Sequence, residues 1–136
     1  MEPLRKQFSK LGIKNPLTVV HAARKGVQPT VFYNFAGIID MPEKKLAKLL
    51  QMHPRTISNY REQKRVLSPI ESEHLLKLIL LYAKGEELFG TVEVFGQWLD
   101  KPFGNSNETS LDWLSTPGGV DLIKDELDRI AQGYVA

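Results

Sequence analysis

The amino-acid sequence predicts an all-α protein, and three observations carry that expectation. Helix-start prolines and helix-end glycines recur along the chain, apolar residues between them fall at helical spacing, and no segment alternates as a half-buried strand does. The prolines at first-turn positions are Pro16, Pro29, Pro42, Pro54, Pro69 and Pro117, and the glycines near ends are Gly26, Gly37, Gly90 and Gly133. Between these marks the pattern predicts helices over 16–25, 29–37, 42–51, 54–63, 69–89, 91–99, 110–115 and 117–132.

The best-defined start is Ser68-Pro69-Ile70-Glu71, where Ser68 can accept from an early backbone N–H and Glu71 can reach back, a reciprocal capping box. The helix that follows holds the longest apolar run, Leu75 to Ala83, interrupted by Lys77. That run is well short of the roughly 20 apolar residues a membrane span needs. An apolar stretch of this kind reads as a central helix buried on most sides. Lys101 to Thr109, rich in Gly, Asn and Ser, reads as a loop.

At 136 residues, with 42% apolar and 25% charged residues, the chain has the composition of a globular protein of one compact domain or two small lobes. It has no cysteine and no basic-then-apolar leader, so neither a disulfide framework nor export is expected, and the cytoplasm is the default compartment. The charge is divided unevenly. Residues 1–68 carry 13 Lys+Arg against 4 Asp+Glu, a net +9, and residues 69–136 carry 5 against 12, a net −7. The first half is therefore suited to a polyanion and the second to a different partner. The change of sign falls at the Ser68 cap, which marks a basic region 1–68 and an acidic region 69–136.

Within the basic region, Glu43 to Glu62 shows two short helical patterns around a tight turn at Gln51 to Pro54, a helix-turn-helix over about 42–63. Leu46, Ala47, Leu49 and Leu50 form the apolar face of the first helix, and small Ala47 allows close approach of the second. Ile57 and Tyr60, three apart, share the inward face of the second helix. Arg55, Ser58, Asn59 and Glu62 then face outward, where an arginine can read guanine and an asparagine adenine in the major groove. Thr56, Arg61, Lys64 and Arg65 are placed to hold phosphates. The competing reading is two packed amphipathic helices with solvated charges. Two residues depart from the usual turn: Gln51 stands where Gly is common, and His53 where a Ser or Thr cap is common.

The acidic region carries Glu87-Leu88-Phe89-Gly90, Trp98-Leu99 followed by Pro102, Leu111 with Leu114, Thr116 with Gly119, and a closing Ile130 to Tyr134. In that order behind a helix-turn-helix, these residues resemble the toxin-binding domain of Xre-type antitoxins, the MbcA and ParS group paired with RES-domain toxins. The resemblance implies a type II antitoxin that dimerises, binds operator DNA to repress its operon, and neutralises an NAD-consuming RES toxin. It also implies that Gly133, Tyr134, Val135 and Ala136 approach the toxin's active-site cleft. Asp121, Asp125 and Asp128, on one side of the last helix, are placed to meet basic toxin residues. Trp98, Leu99, Trp113 and Leu114 read more simply as core.

Chemistry of other kinds is not expected. The acid pairs Glu86-Glu87 and Asp125-Glu126 point in different directions on a helix, and His21, His53 and His74 lie far apart in sequence, so no catalytic residue, metal set or cofactor is expected. Gly118-Gly119 reads as a helix start. The alternatives are a stand-alone helix-turn-helix regulator whose helical second half binds a ligand or protein, and an adaptor that no longer binds DNA. The apolar N-terminal set (Phe8, Leu11, Ile13, Val19, Val20, Val31, Phe32, Phe35, Ile38 and Ile39) serves either a homodimer interface or one enlarged core.

Overall fold

A computed structural model describes residues 2–133. Its described residues form eight α-helices and two 3-10 turns, with no strand and only an isolated bridge between Pro102 and Thr109. The helices are α1 (Leu4–Gln7), α2 (Pro16–Lys25), α3 (Pro29–Ile38), α4 (Glu43–Leu49), α5 (Pro54–Glu62), α6 (Pro69–Phe89), α7 (Val92–Leu99) and α8 (Pro117–Ala131). The 3-10 turns are Ser9–Leu11 and Asp112–Ser115. None of the described helices is long and apolar enough to cross a membrane.

Helix α6 is the axis. Ser68 Oγ accepts from Glu71 N at 3.2 Å and a Glu71 carboxylate oxygen accepts from Ser68 N at 2.9 Å, so the capping box starts the helix where the sequence placed it. Ten of its 21 residues are buried, because α1 and α2 pack on one side and α7 and α8 on others. A second capping box, Asn15 with Thr18, starts α2. Pro16, Pro29, Pro54, Pro69 and Pro117 open their helices, whereas Pro42 is the residue before α4 and not part of its first turn. Gly26 and Gly90 terminate α2 and α6 at positive φ. Gly37 does not end α3. The chain runs one residue further and turns at Asp40, φ 53°.

The N-terminal apolar set goes mostly into one core. Phe8, Ile13, Val19, Phe32 and Phe35 are buried, Leu11, Val31, Ile38 and Ile39 are half-buried against them, and Val20 stays outside. This favours the enlarged-core reading of that set. The short α1 was missed by the punctuation pattern; it is tied to the far end of α6 by Leu4 N donating to Glu86 Oε1 at 2.8 Å and by an Arg5–Glu87 ion pair at 2.8 Å. A run of edge-to-face and stacked rings, Phe8–Phe35–Tyr82–Phe95–Trp98, joins the N-terminal segment to α7 through α6. Leu99, Leu114 and Trp98 sit in or against this core, as their spacing predicts.

Candidate nucleic-acid interface

Helices α4 and α5 form the predicted helix-turn-helix, and the turn explains both departures in its sequence. Gln51 has φ 55°, in the left-handed region where Gly is favoured. Met52 N donates to Ala47 O at 2.9 Å and Gln51 N to Lys48 O at 3.0 Å, the two bonds of a Schellman motif that satisfy the last carbonyls of α4. What offsets the strain is visible: Gln51 Nε2 donates to Ser115 O at 2.6 Å, a bond no glycine can make. His53 substitutes for the usual hydroxyl cap, its Nδ1 accepting from Arg55 N at 3.1 Å.

The buried Ala47 and Ile57 let the helices close on one another, and Leu46, Leu49 and Leu50 fix α4 to the core. On α5 the outward residues are where the sequence placed them. Arg55, Asn59 and Glu62 are exposed and Ser58 and Thr56 are half-buried at the margins. Ser58 Oγ donates to Arg55 O at 3.0 Å, so its hydroxyl is partly used within the helix. Arg61 lies on the flank toward α3, its guanidinium 4.5 Å above the ring centre of Tyr33. Lys64 takes φ 56° at the end of α5, in a second Schellman motif with Arg65 N donating to Tyr60 O at 2.8 Å. That turn folds Arg65 back, and its guanidinium lies 4.9 Å from the Tyr60 ring centre. Among the described residues, Arg55, Arg61, Lys64 and Arg65 form no ion pair. The result is an exposed helix with one Arg/Asn face and unpaired cations along and beyond it, which suits an anionic groove. Tyr33 was not legible as part of this site.

The acidic candidates divide. Asp121 pairs with Lys77 of α6 at 3.0 Å, and Asp128 pairs with Lys84 of α6 and, at 3.6 Å, with Lys124. The Lys84 hydrogen bond, aided by Lys124, holds the Asp128 carboxyl below the usual carboxylate range. Both therefore stitch α8 to α6. Asp125 is exposed, and no ion pair engages it among the described residues. Gly133 is exposed at φ 89° just after α8, and Tyr134, Val135 and Ala136 lie outside the described residues. Among the described residues no group of three or more His, Cys, Asp or Glu is placed to hold a metal ion.

The helix-turn-helix and the helices around it can be compared with known proteins. A search of curated proteins finds no match. Residues 18–79, from α2 into α6, match the family model for the antitoxin Xre-like helix-turn-helix domain, so this segment is similar to the DNA-binding domain of antitoxins and regulators of that kind.

Proposed function

We propose that the chain is a type II antitoxin that represses its operon through α4 and α5 and neutralises a RES-domain toxin through α8 and the residues after it. The open Arg55/Asn59 face of α5, inside a segment similar to an antitoxin helix-turn-helix domain, supports the DNA arm. Arg55, Ser58, Asn59 and Glu62 meet base edges; Thr56, Arg61, Lys64 and Arg65 meet phosphates. Removing a good base contact costs about 1–3 kcal/mol on the cognate site alone. Arg55→Ala is thus expected to weaken binding to an operator duplex from the chain's own upstream region by roughly five- to a hundredfold and to leave a random duplex little changed. Equal losses on both would remove the base-reading role.

The toxin arm rests on the resemblance of residues 86–136 to the MbcA and ParS group and on the free carboxylate of Asp125. Because Asp121 and Asp128 are engaged with α6 lysines, Asp125 is the member of the trio best placed to meet a basic partner. Asp125→Lys is expected to weaken co-purification with the RES toxin at least tenfold with an unchanged melting temperature, since a repulsive charge replaces an attractive one. Deleting residues 133–136 is expected to abolish rescue of cells expressing that toxin while duplex binding persists. Full rescue by the shortened protein would remove the role of the tail in the toxin's cleft, and no rescue by the full-length chain would point instead to a stand-alone regulator.

A further inference from the structure

Arg61 and Arg65 are held in an unusual way for exposed arginines. Each guanidinium lies over a tyrosine ring, at 4.5 Å for Arg61 over Tyr33 and 4.9 Å for Arg65 over Tyr60, and neither pairs with a carboxylate among the described residues. The distinction matters chemically. A salt bridge consumes guanidinium N–H groups, whereas stacking uses only the flat face; Arg65 gives one N–H to Gln63 Oε1 at 3.5 Å and keeps the rest of its fork for phosphate oxygens.

Both rings are packed from beneath. Tyr33 is half-buried on α3 and meets the buried Phe32 edge-on, with ring centres 5.1 Å apart. Tyr60 is half-buried on α5, and its carbonyl accepts from Arg65 N at 2.8 Å, so the same residue locates both the backbone and the side chain of Arg65. Lys64, at φ 56°, makes the turn that permits this. Tyr60 and Arg61 are consecutive, hence about 100° apart around the helix, and they lie about 120° and about 140° round from the outward Arg55/Asn59 face, on its two sides. The two stacked cations are therefore set back from that face toward opposite sides of α5, the sides on which the two phosphate backbones run past a helix lying in a major groove.

We propose that Tyr33 and Tyr60 are positioning residues that hold Arg61 and Arg65 edge-outward as two phosphate clamps, one on each flank of α5. This rests on the DNA-binding reading above and adds to it the residues that pre-organise the contacts. A free arginine must give up side-chain freedom on reaching a phosphate; a stacked one has given up much of it already.

Phosphate contacts are independent of sequence, so a short random duplex is a sufficient probe, titrated between about 50 and 200 mM salt. Tyr33→Leu is expected to weaken binding about two- to fivefold, the range for one exposed cation–π contact, with Tyr33→Phe unchanged. The salt slope should stay as in the wild type for Tyr33→Leu, because the charge remains, and fall by about one for Arg61→Ala. In an Arg61→Ala background Tyr33→Leu should cost nothing further. The same loss from Tyr33→Leu with and without Arg61 would overturn the proposal, because the ring would then be acting only as packing. No duplex binding by the wild-type protein at low salt would remove the DNA reading and this inference together.

Discussion

Gly119→Ala is expected to lower the melting temperature by roughly 10 °C, while Gly118→Ala leaves it unchanged or raises it slightly. A Cβ at Gly119 would meet the backbone carbonyl of Trp113, with Trp113 C at 2.7 Å and Thr116 Oγ1 at 3.3 Å, and a backbone cannot swing aside as a side-chain tip can. At Gly118 nothing lies within 4 Å. Gly119 is buried in the first turn of α8, where its N–H donates to Thr116 Oγ1 at 3.1 Å, so added bulk must push α8 off the 3-10 turn or break the cap. Overfilling a packed site costs about 1–3 kcal/mol and sometimes more, with each kcal/mol worth roughly 4 °C in a domain of this size. The pair of variants, followed by thermal denaturation, separates that clash from a change in helix propensity. Equal shifts would show that the turn yields.

His74 should make stability depend on pH in a narrow window. It is buried in α6, and its Nε2 donates to Leu114 O at 2.8 Å. Burial lowers its pKa below 6.5, with nearby Lys77 acting in the same direction against the opposing effect of the hydrogen bond. A lowered folded-state pKa means that the unfolded chain takes up a proton first as pH falls. The stabilising contribution of neutral His74 is therefore complete above the unfolded value of 6.5 and is lost as pH drops below it toward the folded value. His74→Leu leaves the Leu114 carbonyl without its donor and is expected to cost about 1–3 kcal/mol at pH 8. That gap should narrow as pH falls from 7 toward 5 in urea melts of the two proteins. A gap that stays constant with pH would mean that His74 keeps its charge state on unfolding.

Most of the helices were legible because their signals are local: Pro at the first turn, a capping residue before it, and Gly where the chain must take positive φ. The pattern failed where a side chain other than the expected one does the same work. Asp40, Gln51 and Lys64 all adopt left-handed backbone that glycine would adopt more easily, and Gly37, which looked like a terminus, lies inside α3. Helix α1 has only four residues and owes its place to Glu86 and Glu87, more than 80 positions away, which no local pattern reports. The outward face of α5 was readable from periodicity alone. Tyr33 was not, because its value to the site comes from a contact between separate helices. The acidic trio shows the same limit: spacing put Asp121, Asp125 and Asp128 on one side of α8, but only the fold reveals that two of them are already paired.

The turn before α8 is gripped from two directions, by Gln51 of the helix-turn-helix at Ser115 O and by His74 of α6 at Leu114 O. The two bonds tie the helix-turn-helix and α6 to the start of α8. If α5 seats in a groove as proposed, α8 is carried with it, so two copies on a symmetric stretch of duplex would present their acidic ends at a separation set by the spacing of the half-sites. The nucleic acid would then act as a ruler for whatever assembles on the other face.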